Sequence, residues 1–420
     1  MALKNNKFIT CVDIYMSNKS PLKITDEDTI ILDNITNKPY LPGTSVAGTF
    51  RAYVNENIGK ENADLLFGDG IKASKLYVYD SIAEEKKSLE ERTGIRIDEK
   101  FGVSVKNALF SRKYISEGNK FKLRLKLFSE DEQEKEKLLG MVYKCINGLD
   151  KEVIRFGSDK TNGAGIMKII DVKQCKFDFS KKESLEKYLL EEGEFVSVKS
   201  DVISNKEDGF ATFIINASTK TPILVRENNS LDYELPDASS IKNRKNEYII
   251  PGSSIKGCIK NRFSKIAKYK QVEELVVEAF GGGEGEDNKN IGKIFCEDVK
   301  IKEANDNVVY NRIRIDKFTG SVKSGGLLDE KPVSGLLQFS IKYKLNNNEI
   351  DNKVIALMIY TIKDLLEGMF QIGSGSAVGR GYLKGDNIEF SIGKELYYID
   401  LKGDNHKNRD KITEILLSLA

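Results

Sequence analysis

Gly252-Ser253-Ser254 opens a helix-forming run in which Lys256 and Lys260 stand four residues apart. Free backbone N–H groups, hydroxyls and the positive end of a helix dipole, with two lysines on one face, suit a phosphate. The same residues also make an ordinary serine-capped helix with solvated lysines. Lys120, Lys122, Arg124 and Lys126 alternate with Phe121, Leu123, Leu125 and Leu127. In a strand, four cations then share one face and four apolar side chains the other. Such a face either tracks a phosphate backbone or is simply solvated. Gly379, Arg380 and Gly381 close a glycine-rich segment that begins at Gly373. Glycines there let the backbone approach RNA or a nucleotide closely, or serve a tight turn between helix and strand. Arg96 with Asp98, and Arg314 with Asp316, alternate with isoleucines, and a local ion pair accounts for them equally well.

These groups belong to a pattern that occurs twice. Leu41-Pro42-Gly43-Thr44-Ser45-Val46-Ala47-Gly48 returns as Ile250-Pro251-Gly252-Ser253-Ser254-Ile255-Lys256-Gly257. Arg96-Ile97-Asp98 before Gly102 returns as Arg314-Ile315-Asp316 before Gly320, and the segment 156–166 returns as 372–382. Pro251 follows Pro42 by 209 residues, Asp316 follows Asp98 by 218, and Gly373 follows Gly157 by 216. Order and spacing are kept, so the chain holds two homologous domains. In the first copy Ser45 and Arg51 are the candidates for phosphate contact.

The elements around these motifs recur too. Strand candidates at 7–16 and 211–218 open the copies, and further strand-like pieces lie at 75–80 and 293–298. The Pro-Gly motifs introduce helices, with Ser45 and Ser253 or Ser254 as plausible caps. In the second copy Ile255, Ile259, Phe263 and Ile266 form an apolar stripe. Helix candidates at 132–147 and 353–369 lead into the glycine-rich segments. Strands mixed with two helices, without regular βαβ repetition, indicate an α+β fold. The reading is a first domain over 1–175, a linker with a short charged helix over 176–204, a second domain over 205–400 and a C-terminal tail over 401–420. Residues 281–288 and 404–410 read as mobile loops.

Length and composition set the class. A chain of 420 residues has room for two or three domains, each with its own core. With 66 Lys and Arg against 64 Asp and Glu, net charge predicts no nucleic-acid binding, and any such case rests on local patches. Neither a membrane span nor a secretory signal is visible. Five cysteines without CxxC spacing point to buried thiols in a reducing cytosol and away from zinc or disulfides. A cytoplasmic location is therefore expected. The single histidine, His406, lies in a polar tail outside both copies, which disfavours a His-dependent nuclease.

The Pro-Gly-Ser-Ser-Ile-Lys-Gly helix entry, the Arg-x-Asp-x-x-x-Gly segment and the closing Gly-x-Gly-x-x-x-Gly-Arg-Gly-Tyr resemble the RAMP superfamily of CRISPR-associated proteins. The resemblance is specifically to the backbone subunits of type III effector complexes. It covers roughly residues 5–175 and 205–395, and its specificity lies in the ordered set rather than in any one motif. The second copy is the nearer match. Ala47 stands where the family often has lysine and Ala164 where it has arginine, which implies weaker guide contacts by the first copy.

The resemblance implies a ferredoxin-like, RRM-related core in each domain, with inserted loops or hairpins, that holds a segment of CRISPR RNA. Two domains in tandem resemble the fused backbone subunits of subtype III-D, an antiviral system whose other parts are target RNA and neighbouring effector subunits. The family's cleavage of paired target RNA implies an aspartate with Mg2+ or Mn2+ in the loop before the Pro-Gly motif. Asp26 or Asp28 is implied in the first copy, and Asp237 ahead of Asp232 in the second; Asp26, Asp28 and Asp237 are also the implied metal ligands. A carboxylate can hold a divalent cation near the scissile phosphate or orient the ribose hydroxyl. Two other readings stand beside this one. The chain is an architectural RNA-binding subunit with inert loop acids, or, at lower rank, a nucleotide-binding enzyme. Neither glycine-rich segment carries the Gly-Lys-Ser/Thr ending of a phosphate loop or a strand-to-helix GxGxxG followed by an acid.

Overall fold

The computed structural model describes residues 6–26, 29–85, 89–98, 104–202, 209–226, 236–282 and 291–419. The chain divides into two compact units, one of residues 1–92, 111–160 and 164–208, the other of 93–110, 161–163 and 209–420. The architecture is α+β, as the mixture of patterns predicts.

In the first unit, β1 (Phe8–Asn18) runs into α1 (Gly43–Asn57), followed by β2 (Leu76–Val78). A hairpin of β3 (Leu89–Ile97) and β4 (Ser104–Ile115), of which residues 93–110 are grouped with the other unit, precedes β5 (Lys120–Ser129), α2 (Glu132–Asp150) and β6 (Met167–Asp178). The main sheet places β1 between β6 and β5, with β2 outside β5, all antiparallel. Numbering the four strands in chain order gives 4-1-3-2. The period-2 alternation puts Val12, Ile14 and Met16 of β1 and Leu123, Leu125 and Leu127 of β5 on one buried face. Against it pack Val46, Phe50 and Val54 of α1 and Leu138, Val142 and Ile146 of α2, at helical spacing.

The segment between the copies adds to this unit. It holds α3 (Lys182–Leu189) and β7 (Val196–Ser197), which pairs with Lys173 and Gln174 of β6. Tyr188 and Phe195 pack with Phe179 on a small cluster of Ile9, Cys11, Phe128, Cys175 and Phe177. That cluster occupies the sheet face opposite the helices.

The second unit repeats the plan with β8 (Phe210–Thr219), β9 (Ala238–Ser239), α4 (Gly252–Tyr269) and β10 (Ile294–Cys296). The hairpin of β11 (Tyr310–Ile315) and β12 (Val322–Lys331) leads to β13 (Ser334–Lys344), α5 (Glu349–Leu366) and β14 (Asn387–Ile392). β8 again lies between the fourth strand, β14, and the third, β13, with β10 on β13. Ile255, Ile259 and Phe263 are buried as their stripe predicts, while Ile266 is only partly covered and Ala267 takes the next inward place. An Asn348 cap with Asp351 as its reciprocal partner starts α5.

The C-terminal segment is not a loose tail. β15 (Glu395–Asp400) pairs with β14, and α6 (Arg409–Leu417) buries Ile412 and Ile415 in the main core. Within the expected loop 404–410, Lys407 N–H donates to the Tyr398 carbonyl at 3.0 Å and His406 Nδ1 accepts from Asp400 N–H at 3.2 Å. These bonds pin the segment and leave the lone histidine a structural role. Of the other expected loop, residues 283–288 lie outside the described residues. Among the described residues, no helix is long and apolar enough to cross a membrane.

Candidate nucleic-acid interface

The glycine-rich segment of the second copy is folded by its own backbone. Ser374 N–H donates to the Leu224 carbonyl at 2.7 Å, Gly381 N–H to Pro222 at 3.0 Å, and Ile372 N–H to Gly381 at 2.9 Å. Gly381 has φ +82°, and a Cβ there would stand 2.1 Å from the Ile372 carbonyl oxygen, so this glycine serves tight closure. Gly379, also at positive φ, has open space around it and is exposed.

That closure delivers Arg380 to the hairpin. The β11–β12 register sets Tyr310 opposite Glu330 and Arg312 opposite Leu328, so these side chains share a face. Three guanidiniums converge on the Glu330 carboxylate. Arg226 Nη2 donates to Oε1 at 3.0 Å, while Arg312 Nε and Arg380 Nη1 lie 2.9 and 2.8 Å from Oε2. The Arg380 guanidinium also lies over the Tyr310 ring, 4.7 Å from its centroid. A pocket of ≈ 570 Å³ opens here, lined by Arg226, Arg312, Arg314, Leu328, Glu330 and Val378. Burial pulls the Arg380 pKa below its ordinary value; Glu330 opposes this and Arg312 adds to it. A guanidinium starts so high that it stays charged.

The first copy builds the same junction with the signs exchanged. Its loop is stapled identically, by Ser158 N–H to Lys23 at 2.8 Å, Gly165 N–H to Pro21 at 2.9 Å and Phe156 N–H to Gly165 at 3.0 Å. Here the acid, Asp159, sits in the loop and the cation, Arg112, on the hairpin strand. Arg112 corresponds to Glu330, because each stands three residues before the partner of a matching bridge, Leu22 with Ile115 and Ile223 with Val333. Asp159 takes Arg112 at 3.1 Å, the Tyr114 hydroxyl at 3.0 Å and Lys23 at 3.6 Å. Arg92 lies over the Tyr114 ring. Two cations face one acid here, against three in the second copy.

The helix entries differ from expectation. Pro42 and Pro251 are the N-caps and no side chain of the motif caps either helix, so Ser45, Ser253 and Ser254 do not act as caps. The acceptors come from elsewhere: Gly43 N–H donates to Asp80 Oδ1 at 2.6 Å, and Gly252 N–H to Asp298 Oδ1 at 2.9 Å. A Cβ on Gly43 would meet the Val78 carbonyl oxygen at 2.3 Å, and on Gly252 that of Cys296 at 2.2 Å. The repeated Pro-Gly therefore fits the helix start against the end of a strand, and a protein carboxylate already lies at the positive end of each dipole. Ser45 and Ser253 are exposed, and Ser254, Lys256 and Lys260 half-buried. Arg51 pairs with Asp64 at 2.7 Å.

The basic strand alternates as predicted, but its charge is partly balanced. Asp13 of β1, with its side chain 2% exposed, takes Arg124 in a two-pronged bond at 2.7 and 2.8 Å and Lys122 at 2.9 Å. Burial alone would raise the Asp13 pKa; the bonds from Arg124 and Lys122 outweigh it and hold the carboxyl below its ordinary value. Lys122 also lies over the Tyr15 ring, Arg124 over Phe195, and Lys126 over Tyr79 and Tyr188.

Of the loop acids, Asp28 and Asp232 lie outside the described residues, and so does the side chain of Asp26, whose backbone ends a two-residue strand. Asp237 is exposed, and its Oδ2 accepts the Asp329 N–H at 2.9 Å. β9 pairs in parallel with β12, Ala238 beside Glu330, which places Asp237 next to the arginine-bearing hairpin. Asp329 Oδ1 is buried without a hydrogen-bond partner among the described residues. No three metal-ligating side chains converge among the described residues. Asp237 is an exposed carboxylate, and Mg2+ can be held by one or two carboxylates with waters and phosphate oxygens completing its sphere.

A model of the RAMP superfamily matches residues 15–168 and 216–384, most of both copies. The chain belongs to the RAMP superfamily. Each matched segment contains one of the two stapled junctions just described, so this RAMP protein carries its family's domain twice. No curated protein matches it. A chain of a cryo-EM structure of the type III-B Cmr-beta complex bound to cognate target RNA is similar at 15% identity with a TM-score of 0.33, over 40% of this chain and 60% of that one.

Sequence reasoning singled out Arg380 but missed Arg226, Arg312, Glu330 and the capping Asp80 and Asp298. The signal for Arg312 was present, since Tyr310, Arg312 and Arg314 alternate as the basic strand does. Asp316, read as an ion-pair partner of Arg314, instead accepts Phe318 and Thr319 N–H in the hairpin turn and pairs with Lys323.

Proposed function

We propose that this RAMP protein is an RNA-binding backbone subunit of a type III CRISPR effector complex, gripping guide RNA through its phosphates. The observation that carries the reading is the pair of RAMP segments in one chain, each ending in the same stapled glycine-rich loop against a charged hairpin. The 4-1-3-2 strand order of both units supports a ferredoxin-like, RRM-related core. Paired target RNA and neighbouring effector subunits are the partners this reading requires, and tandem domains favour subtype III-D.

Filter binding of guide-type single-stranded RNA across a salt series tests it. Each phosphate neutralised on a single strand contributes about 0.7 to the slope of log affinity against log salt. A slope of several such steps, little affected by base sequence and reduced by Lys256→Ala, Lys260→Ala and Arg380→Ala together, is expected. Absent salt dependence would overturn the reading.

A second reading adds Mg2+- or Mn2+-dependent cleavage of paired RNA, and Asp237 favours it, being an exposed carboxylate beside the cationic hairpin. The cation would polarise the scissile phosphate; Asp237 would hold it. Mapping the products of a labelled target with Asp237→Ala, and separately with Asp26→Ala and Asp28→Ala together, decides this. Loss of one fragment end per variant assigns a cut to each copy. Unchanged products with magnesium present leave the chain as scaffold.

A further inference from the structure

In the first unit, the sheet face opposite the helices is only partly covered. The segment after β6 closes it around Cys11 and Cys175. Beyond that cover, Tyr15 of β1, the cations of β5, Lys173 of β6 and Tyr79, just past β2, stand on the same side. Tyr79 N–H donates to the Arg124 carbonyl at 3.1 Å, which fixes it beside β5. Rings and ammonium groups interleave here: Lys122 and Lys173 lie 5.3 and 5.4 Å from the centroid of the Tyr15 ring, and Lys126 lies 5.4 Å from that of Tyr79. Asp13 answers Arg124 and Lys122, but no carboxylate among the described residues pairs with Lys120, Lys126 or Lys173. The second unit has no such face. Its matching strands, β8 and β13, set Thr212, Ile214 and Asn216 beside Lys342, Ser340 and Gln338. The aromatic and cationic set of the first unit is therefore not part of the duplicated scaffold.

We propose that this face is a second RNA site, which receives an unpaired strand by stacking bases on Tyr15 and Tyr79 and meeting its phosphates with Lys120, Lys126 and Lys173. It goes beyond the phosphate grip proposed above, because it uses neither the helix entries nor the glycine-rich loops and it reads the flat faces of bases. Interleaved aromatic and basic side chains are what a sequence-tolerant single-strand site needs, since every base has a π face and every linkage a charge. A base stacked on a tyrosine gains more than an exposed ammonium does, and the displaced lysine exchanges the ring for a phosphate. The two rings sit on strands separated by β5, about 10 Å apart by strand spacing, whereas stacked bases repeat at about 3.4 Å. Only a strand whose bases are splayed apart reaches both, so a duplex is refused. Beside Tyr15 a pocket of ≈ 290 Å³ is lined by Glu84, Lys120, Ile170, Asp171 and Lys173. Its two acids repel a phosphate and accept the amino group of a base, while its lysines take the backbone.

The test uses the full-length chain freed of nucleic acid, as wild type, as Tyr15→Leu with Tyr79→Leu, as Lys120→Ala with Lys173→Ala, and as Tyr269→Leu, which removes an exposed ring from the end of α4. Each is titrated over a salt series with a single-stranded RNA carrying 2-aminopurine, whose fluorescence falls on stacking, and a duplex of the same length is the competitor. The tyrosine variant should bind more weakly by about 5-fold or more at every salt concentration, with an unchanged slope. The lysine variant should lower the slope by about 0.7–1.4, one to two phosphates. Tyr269→Leu should match wild type, and the duplex should compete poorly. Equal binding by wild type and the tyrosine variant would overturn the site and leave the face to a protein partner, while the phosphate grip stands. RNA lost from the tyrosine variant but kept by Lys256→Ala, Lys260→Ala and Arg380→Ala together would uphold this site and overturn the grip. A duplex that competes as well as a single strand would overturn the unpaired occupant, and a wild type that binds no RNA would overturn both sites. Should Tyr15→Leu, at a half-buried position, unfold the chain, Tyr79→Leu alone, at an exposed one, is judged by the same criteria.

Discussion

Removing Arg124 strips a buried carboxylate of two of its three charged hydrogen bonds. Asp13 keeps only Lys122, at 2.9 Å. Breaking a buried ion pair from one side costs about 3–5 kcal/mol, because the remaining charge is stranded. Two features reduce that here: Lys122 stays, and the Arg124 side chain is 39% exposed, so water can enter where it stood. We expect Arg124→Ala to cost about 2–3 kcal/mol near neutral pH, at or just below the lower end of that range because water partly replaces the lost charged hydrogen bonds. The cost should depend on pH with a definite sign. In the wild type the Asp13 pKa is held below its unfolded value of about 3.9, so its contribution is full above that pH and is lost as pH falls through the folded value. In the variant burial dominates and the carboxyl takes up its proton at higher pH. The penalty should therefore be largest near pH 7 and shrink below about pH 4, as Asp13 becomes neutral in both proteins. Urea unfolding followed by far-ultraviolet circular dichroism reads this, fitted as two transitions because the chain has two units. A penalty below about 0.5 kcal/mol, or one as large at pH 3 as at pH 7, would refute the reasoning.

Gly381→Ala and Gly165→Ala should each lower the melting temperature of their own unit more than Gly379→Ala. All three replace a positive-φ glycine, at about 1–2 kcal/mol, but the first two also drive a Cβ to within 2.1 and 2.0 Å of a carbonyl oxygen. Equal losses at 379 and 381 would remove the packing argument. Asp298→Ala should cost about 1 kcal/mol by freeing the Gly252 N–H at the start of α4, and Asp80→Ala the same at α1, while Ser253→Ala should be nearly silent in denaturant unfolding. Burial pushes the thiols of Cys145 and Cys258 up to about 12 and that of Cys11 to about 11. Iodoacetamide at pH 8 should leave all three unmodified in the native chain and alkylate them after unfolding, as mass spectrometry would report. Cys258 is the sharpest case, because the residue is partly exposed while its thiol donates to the Ile255 carbonyl at 3.0 Å.

What could be read from the chain was whatever repeats at short range. Alternation over 120–127 is a period-2 signal and reappears in the burial of β5, and the stripe Ile255, Ile259, Phe263 reappears on α4. Partners at long range could not be read. Asp13 lies 111 positions from Arg124, Asp298 46 from Gly252, and Arg226 104 from Glu330. The serines of the Pro-Gly motif therefore looked like caps, when the acceptor arrives from the far end of a strand. Copy-to-copy comparison showed that Ala164 replaces Arg380, but not that Arg112 and Asp159 restore an ion pair with reversed polarity. Only the fold shows that the two positions belong to one junction. The acid loops are the least legible part, since exposed carboxylates carry no periodic signal and Asp237 alone among the candidates has a described side chain.

The most direct measurement is to isolate the protein with its natural partners and sequence the RNA that comes with it. The account predicts a narrow, enriched population of guide RNAs, crosslinking under ultraviolet light to peptides from both copies, including the hairpin that carries Arg312. A preparation with no enriched RNA, or with RNA crosslinked to neither copy, would contradict it.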